Sequence, residues 1–167
     1  YGHDGFAGEL GHVIMKRNNG RLCGCGRTGC LETYCSATGV ARTAREFLQA
    51  RPDEQSLLHE IPEEDITSKD VFDAAMKGDK LAKDVFDFTG DMLGQALADF
   101  TAFSAPEAFV LFGGLAKSGE LLFKPLRESL ERNLMSLWKG KIKVLLSGLK
   151  EADAAVLGAS ALGWEAK

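Results

Sequence analysis

Three of the four cysteines fall within one stretch of eight residues, "CGCGRTGC", as Cys23, Cys25 and Cys30. Two chemistries suit such a cluster: a dithiol that cycles with a disulfide, or a knot of thiolates around a metal. A redox pair wants Cys-x-x-Cys opening a helix after a strand. The spacing here is Cys-x-Cys, then four residues, then Cys. Metal is the better reading, because zinc takes four soft or borderline ligands in a tetrahedron and three thiolates leave one position to fill. His12 is the nearest histidine able to fill it, with ten residues between it and Cys23, among them the polar loop "NNGR". His3 and His59 lack that placement. Gly24, Gly26 and Gly29 allow the chain to fold back tightly enough for neighbouring thiolates to face one ion. The Cys-x-Cys gap is shorter than that of common zinc fingers, so free thiols in a glycine turn stay open as the alternative on spacing alone.

The elements around this segment follow from periodicity. Residues 1–11 are glycine-rich and read as loop. "HVIMKR", His12 to Arg17, holds β-formers at Val13 and Ile14 and predicts a short strand, followed by irregular loop from Asn18 to Gly29. A helix is expected from Leu31 or Ser36 through "ATGVARTAREFLQA", with Val40, Ala44, Phe47 and Leu48 on one face and Pro52 ending it. Residues 52–65 are acidic and read as an exposed connection. "TSKDVFDAAMKG" opens on a capping Thr67 or Ser68 and closes at Gly78, as a short helix should. From Asp79 a long helix is expected, its buried stripe being Val85, Phe88, Met92, Ala96, Phe100 and Phe103.

After Pro106 the pattern changes. A short strand (Ala108 to Phe112) ends in Gly113 and Gly114, and a helix follows with Phe123, Leu126, Leu130, Leu134 and Leu137 as its core face. "KIKVLLS" predicts a second strand. The alanine-crowded "EADAAVLGASALGWEA" predicts a last helix able to pack closely. Strand, helix, strand, helix argues for α/β layers with parallel pairing. Glycines between a buried strand and a helix let backbone N–H groups approach a phosphate or nucleoside. Gly113 and Gly114 are therefore nucleotide candidates, with a plain strand-to-helix turn as the alternative. The spacing is not that of a P-loop.

Composition narrows the partners. The 167 residues carry a net charge of −4, and 45 % are apolar. Such a surface favours neither nucleic acid nor an anionic membrane. The longest apolar runs fall far below the roughly 18–20 residues of a membrane span. No secretory signal is visible, and bunched cysteines suit a reducing cytoplasm. The chain lacks an initiator methionine and is expected to begin inside a longer protein.

"GFAGELGH", ten residues, then "CGCGRTGCLE" resembles the signature of the ROK family of bacterial sugar kinases and sugar-responsive repressors. The resemblance continues through "FVLFGGLAKSGELLFKPLRESL" and "EADAAVLGASAL", covering nearly the whole chain, least well at residues 50–70. It implies an α/β, actin-like ATPase (ribonuclease H-like) fold, represented here by its C-terminal lobe with an inserted zinc-binding loop. It also implies that His12, Cys23, Cys25 and Cys30 hold a structural zinc, while Cys35 lies outside the motif as a buried helix residue. Taken alone, Glu9 is a surface carboxylate and Glu32 an acidic residue favoured in a first helical turn. The resemblance assigns Glu9, His12 and Glu32 to a hexose or N-acetylhexosamine, the histidine giving one nitrogen to zinc and the other to the sugar. It sets Gly113 and Gly114 against the adenosine end of ATP, which the complete enzyme uses with Mg2+.

The family's Asp-x-Gly-x-Thr phosphate loop and its catalytic Asp are not found in these residues. The expectation is therefore one lobe, 1–167, with a zinc and sugar segment at 9–35, a nucleotide-side segment at 108–166, and the N-terminal lobe and catalytic base elsewhere. By itself the lobe is expected to be inactive. In the complete protein it is expected to serve an ATP-dependent, glucokinase-like sugar kinase, dimeric and cytoplasmic. The alternative is the sugar-sensing domain of a repressor whose DNA-binding domain lies outside this chain.

Overall fold

The computed structural model describes residues 3–149 and 151–165. Among these, the helices before the first strand are α1 (Glu32–Cys35), α2 (Ala37–Ala50), α3 (Ser68–Met76) and α4 (Lys80–Ser104). The rest is β1 (Ala108–Leu111), α5 (Glu120–Asn133), β2 (Lys143–Leu146) and α6 (Glu151–Glu165). The strands pair in parallel, Ala108 opposite Lys143 through Leu111 opposite Leu146, with α5 as the crossover. This is the α/β arrangement that the alternation of elements predicts.

The core forms around α4. Its Leu81, Val85, Phe86, Met92, Ala96 and Phe100 are buried with Val40 and Ala44 of α2, Val71 of α3, and Leu122, Leu126 and Leu130 of α5. A Cβ at Gly94 would lie 2.6 Å from the Leu126 carbonyl oxygen, so glycine lets α4 and α5 meet backbone to backbone. Caps set the helix starts. The Ser36 hydroxyl accepts from the Gly39 N–H and separates α1 from α2, so Leu31 and Ser36 both mark helix entries. The long connection at 52–65 is mostly exposed but anchored by buried Leu58 and by Asp79, which accepts from the Ser56 hydroxyl and the Leu57 N–H.

Four expectations are corrected. His12 to Arg17 is not a strand: Leu10–His12 is a 3-10 turn, and the only pairing in the segment is one antiparallel bridge, Ile14 to Cys30. Gly29, at φ +83°, breaks the extended backbone beside that bridge, so no ladder continues. Phe103 is 93 % exposed, because the last turn of α4 projects beyond the elements that cover the rest of its stripe. Leu137 is also exposed, since α5 ends at Asn133 and Leu137 sits in a separate 3-10 turn out of phase with the helix. In α6, Val156, Leu157, Leu162 and Trp164 are exposed, so the close packing expected of that helix is not realised among the described residues. Tyr1, Gly2 and Ala166 of the expected elements lie outside the described residues. Among the described residues, no helix is long and apolar enough to cross a membrane.

Candidate functional site

The cysteine segment folds as a hairpin of single bridges and turns. The Leu31 N–H donates to the Val13 carbonyl (2.9 Å), and the Met15 N–H to the Gly29 carbonyl (2.8 Å). The Gly29 N–H in turn donates to the Arg21 carbonyl (2.8 Å). At the tip, Leu22 bridges Thr28, and the Gly26 N–H, at φ +86°, reaches the Cys23 carbonyl. This knuckle aims the Cys25 N–H at the Cys23 Sγ (3.5 Å). Arg27 closes it from outside by donating to the His12 carbonyl (2.5 Å).

The folding brings His12, Cys23, Cys25 and Cys30 together, their ligand atoms all within 4.8 Å of one another. Cys25 and Cys30 Sγ are 3.6 Å apart, as are Cys23 Sγ and His12 Nδ1. A cation about 2.3 Å from each sulfur in a tetrahedron would hold sulfurs about 3.8 Å apart. The four groups thus fit zinc in number, softness and spacing. The thiols differ sharply in electrostatics. Cys25 is lowered to about 6, because the Arg27 backbone N–H, Cys23 and the Arg27 guanidinium stabilise its thiolate. Cys23 is raised to about 12, chiefly by its hydrogen bond to Glu32 (2.9 Å). No disulfide links them.

His12 stands between two carboxylates. Its Nδ1 faces the cysteines and lies 3.9 Å from Glu32, while its Nε2 lies 3.9 Å from Glu9. Glu9 is mostly exposed and Glu32 half-exposed, leaving acceptors free to meet polar groups from outside. Cys35 stays apart from the cluster, as the sequence indicates. Burial pushes its thiol to about 12, and its Sγ contacts the Thr89 carbonyl.

Gly113 and Gly114 lie at the end of β1, remote in sequence from the cysteine hairpin. Gly113 adopts φ +103°, and both have open space where a Cβ would project. Beside them is a cavity of about 250 Å³, lined by Ser68, Lys69 and Phe72 of α3 and by Gly114, Leu115 and Lys117 of the turn. None of its lining residues belongs to the cysteine cluster. Sequence reasoning missed the α3 side of this cavity, because it is a long-range contact. It also missed Arg21 and Arg27, which sit in a segment that reads only as polar loop.

A cysteine–histidine hairpin set on a helical core is joined to a parallel strand–helix–strand unit, an α/β arrangement. The chain belongs to the ROK family, whose model matches residues 1–166. It is 38 % identical over 163 residues to the glucokinase of Thermotoga maritima, covering 96 % of this chain and 50 % of that protein. It is 28 % identical over 161 residues to the N-acetylglucosamine repressor of Shigella flexneri, covering 96 % and 38 % respectively. Its fold matches the crystal structure of a ROK family glucokinase from Streptomyces griseus in complex with glucose and AMPPNP. That match has a TM-score of 0.80 at 34 % identity, over 93 % of this chain and 51 % of the other. The chain spans about half the length of the curated glucokinases it matches.

Proposed function

We propose that these residues form the C-terminal lobe of an ATP-dependent hexose kinase of the glucokinase type. In this reading His12, Cys23, Cys25 and Cys30 hold a structural zinc, which supplies cross-linking and charge to a hairpin with almost no ladder of its own. Glu9, His12 and Glu32 bind sugar hydroxyls, each carboxylate accepting O–H donors at a geometry set by the hairpin. Gly113 and Gly114 meet the adenosine end of ATP, which carries Mg2+, and the cavity beside them takes part of that nucleotide. The catalytic base belongs to the other lobe. The complete protein is a cytoplasmic dimer whose substrate is a hexose or N-acetylhexosamine, and this lobe binds neither nucleic acid nor membrane.

One observation carries the reading. His12 offers Nδ1 to three thiols and Nε2 to the Glu9 side, so an ion held by the sulfurs would orient the very ring that a sugar meets. The second reading, a sugar-responsive repressor, draws on the weaker match to the N-acetylglucosamine repressor. The residues preceding Tyr1 separate the two: Asp-x-Gly-x-Thr marks a kinase, a helix-turn-helix a repressor.

The test is an ADP-release assay on the complete protein with a panel of hexoses. Sugar-dependent turnover is expected, and none from residues 1–167 alone. Glu9→Gln should raise the sugar KM by roughly 10–100-fold, the effect of weakening hydrogen bonds to a charged acceptor, and leave the ATP KM nearly unchanged. Equal loss toward sugar and ATP overturns the assignment of Glu9. Turnover by the isolated lobe overturns the assignment of the base to the other one.

A further inference from the structure

Arg21 lies in the hairpin two residues before Cys23, yet only 6 % of its surface is exposed. Its guanidinium is fully engaged. Nε and Nη2 donate to the two oxygens of Glu46 (3.1 and 2.6 Å), and Nη2 also donates to Thr43 Oγ1 (2.8 Å). Nη1 donates to the carbonyls of Thr33 (2.6 Å) and Gly39 (3.2 Å). The group stacks on Tyr34 at 4.5 Å from the ring centroid, and the Arg21 backbone N–H donates to the Tyr34 hydroxyl (3.0 Å). Lys16, from the other arm of the hairpin, sits 5.7 Å from the same ring.

These bonds tie the hairpin to α2 through Gly39, Thr43 and Glu46 and to α1 through Thr33 and Tyr34, and α1 has only four residues and carries Glu32 in its first turn. A helix that short cannot hold itself, since nucleation is costly and one turn returns little. Its last carbonyls need outside donors, and a cation at its C-terminal end is favoured by the helix dipole. Arg21 supplies both at Thr33, the residue after Glu32. Lysine could not replace it, having three donors around a point charge rather than a planar fork of five.

We propose that Arg21 is a positioning residue for the sugar site. It locks the cysteine hairpin to α1 and α2 and so fixes Glu32 relative to His12. This rests on the sugar reading of Glu32, so the experiment has one arm independent of it. In the complete protein, Arg21→Lys should raise the hexose KM about 10–100-fold, the usual cost of losing a residue that orients a ligand, with the ATP KM held within about 2-fold. The other arm follows metal loss to a chromogenic chelator, which should be faster in Arg21→Lys whether or not any hexose is a substrate. Ser129→Ala serves as the stability control: it removes a part-buried hydrogen bond to the Asp91 carbonyl in the α4–α5 contact and should change neither reading. Tyr34→Phe, a milder change that keeps the ring, should raise the hexose KM about 5-fold, the worth of one hydrogen bond. An unchanged hexose KM in Tyr34→Phe, or equal shifts toward hexose and ATP in Arg21→Lys, overturns the proposal. So does metal loss from Arg21→Lys no faster than from Ser129→Ala.

Discussion

The cysteine hairpin and the strand unit at 108–146 reverse the usual relation between regular structure and order. The hairpin has no strand, only two isolated bridges, yet it is filled with restraints. A Cβ at Gly20 would lie 2.6 Å from the Gly29 Cα, and one at Gly29 would lie 1.9 Å from the Lys16 carbonyl oxygen. The strand unit has a regular parallel ladder, but Val110 and Leu146 are more than half exposed, and a Cβ at Gly113 or Gly114 would meet open space. A two-stranded sheet is marginal by itself, and this one leans on the core through Val144, Phe109 and Leu111. Side-chain bonds and a cation-sized knot of ligands can therefore hold a segment more tightly than a short ladder does. The tight region suits fixed recognition of hydroxyls, whereas the open one leaves room for a ligand to bring its own contacts.

The largest effect that could break this comparison is loss of the metal. Metal analysis of protein purified without chelator should find about one zinc per chain, and Cys25→Ser should lose it. Structural zinc supplies on the order of 10 kcal/mol in zinc-binding peptides, so amide exchange should accelerate over residues 12–31 and stay unchanged over 108–146. Protons compete with the ion for thiolates, so affinity should fall as pH falls. Well-folded protein with slow exchange in the hairpin and no metal would show that side-chain bonds suffice.

A matched pair of glycine substitutions sharpens the contrast. Gly29→Ala places a methyl against the Lys16 carbonyl at a left-handed φ of +83°. It should cost more than about 3 kcal/mol in chemical denaturation, the range reserved for severe backbone clashes. Gly114→Ala adds a methyl to open space at φ −59°, ψ −40°. It should stay within about 0.5 kcal/mol of the parent, and any defect should appear in nucleotide affinity instead. Similar destabilisation by both would erase the difference between the two regions.

What was legible in the sequence divides along the same line. The cysteine spacing, with His12 as the fourth member, pointed to a cluster that the structure assembles. The alternation after Pro106 predicted the parallel pair, and the cap expected at Thr67 or Ser68 marked the start of α3, with Thr67 the one that caps. Val13 and Ile14 misled, because β propensity reports fitness for a pleated surface and not the presence of a partner strand. Phe103 and Leu137 misled for a simpler reason. Helical periodicity continued past the point where tertiary neighbours end, and nothing local records that point. Arg21 carried no signal at all, since its partners at Thr33, Gly39, Thr43 and Glu46 are supplied only by the fold.

The smallest effect concerns the wall of the open region. α3 lines the cavity beside Gly114, and its first turn is held by a capping box in which the Asp70 N–H donates to Thr67 Oγ1 while Asp70 accepts from the Thr67 N–H and hydroxyl. Those two donors, the hydroxyl first, hold the Asp70 carboxyl below its ordinary value of 3.8. A carboxylate with a depressed folded pKa stabilises the fold above its unfolded value, and that contribution fades as pH falls through the folded one. The box should therefore be intact at neutral pH and weaken only below about pH 4. Thr67→Ala should cost about 1 kcal/mol at pH 7, as lost caps do, and the gap from the parent should narrow on acidification below that point. The same variant should loosen α3 against the 114–118 turn without touching metal content or sugar affinity. Denaturation at pH 7 and at pH 3 reads the first expectation, and a gap that widens in acid would show that Asp70 is not the partner that matters. A change in hexose KM would show that the open and tight regions are coupled after all.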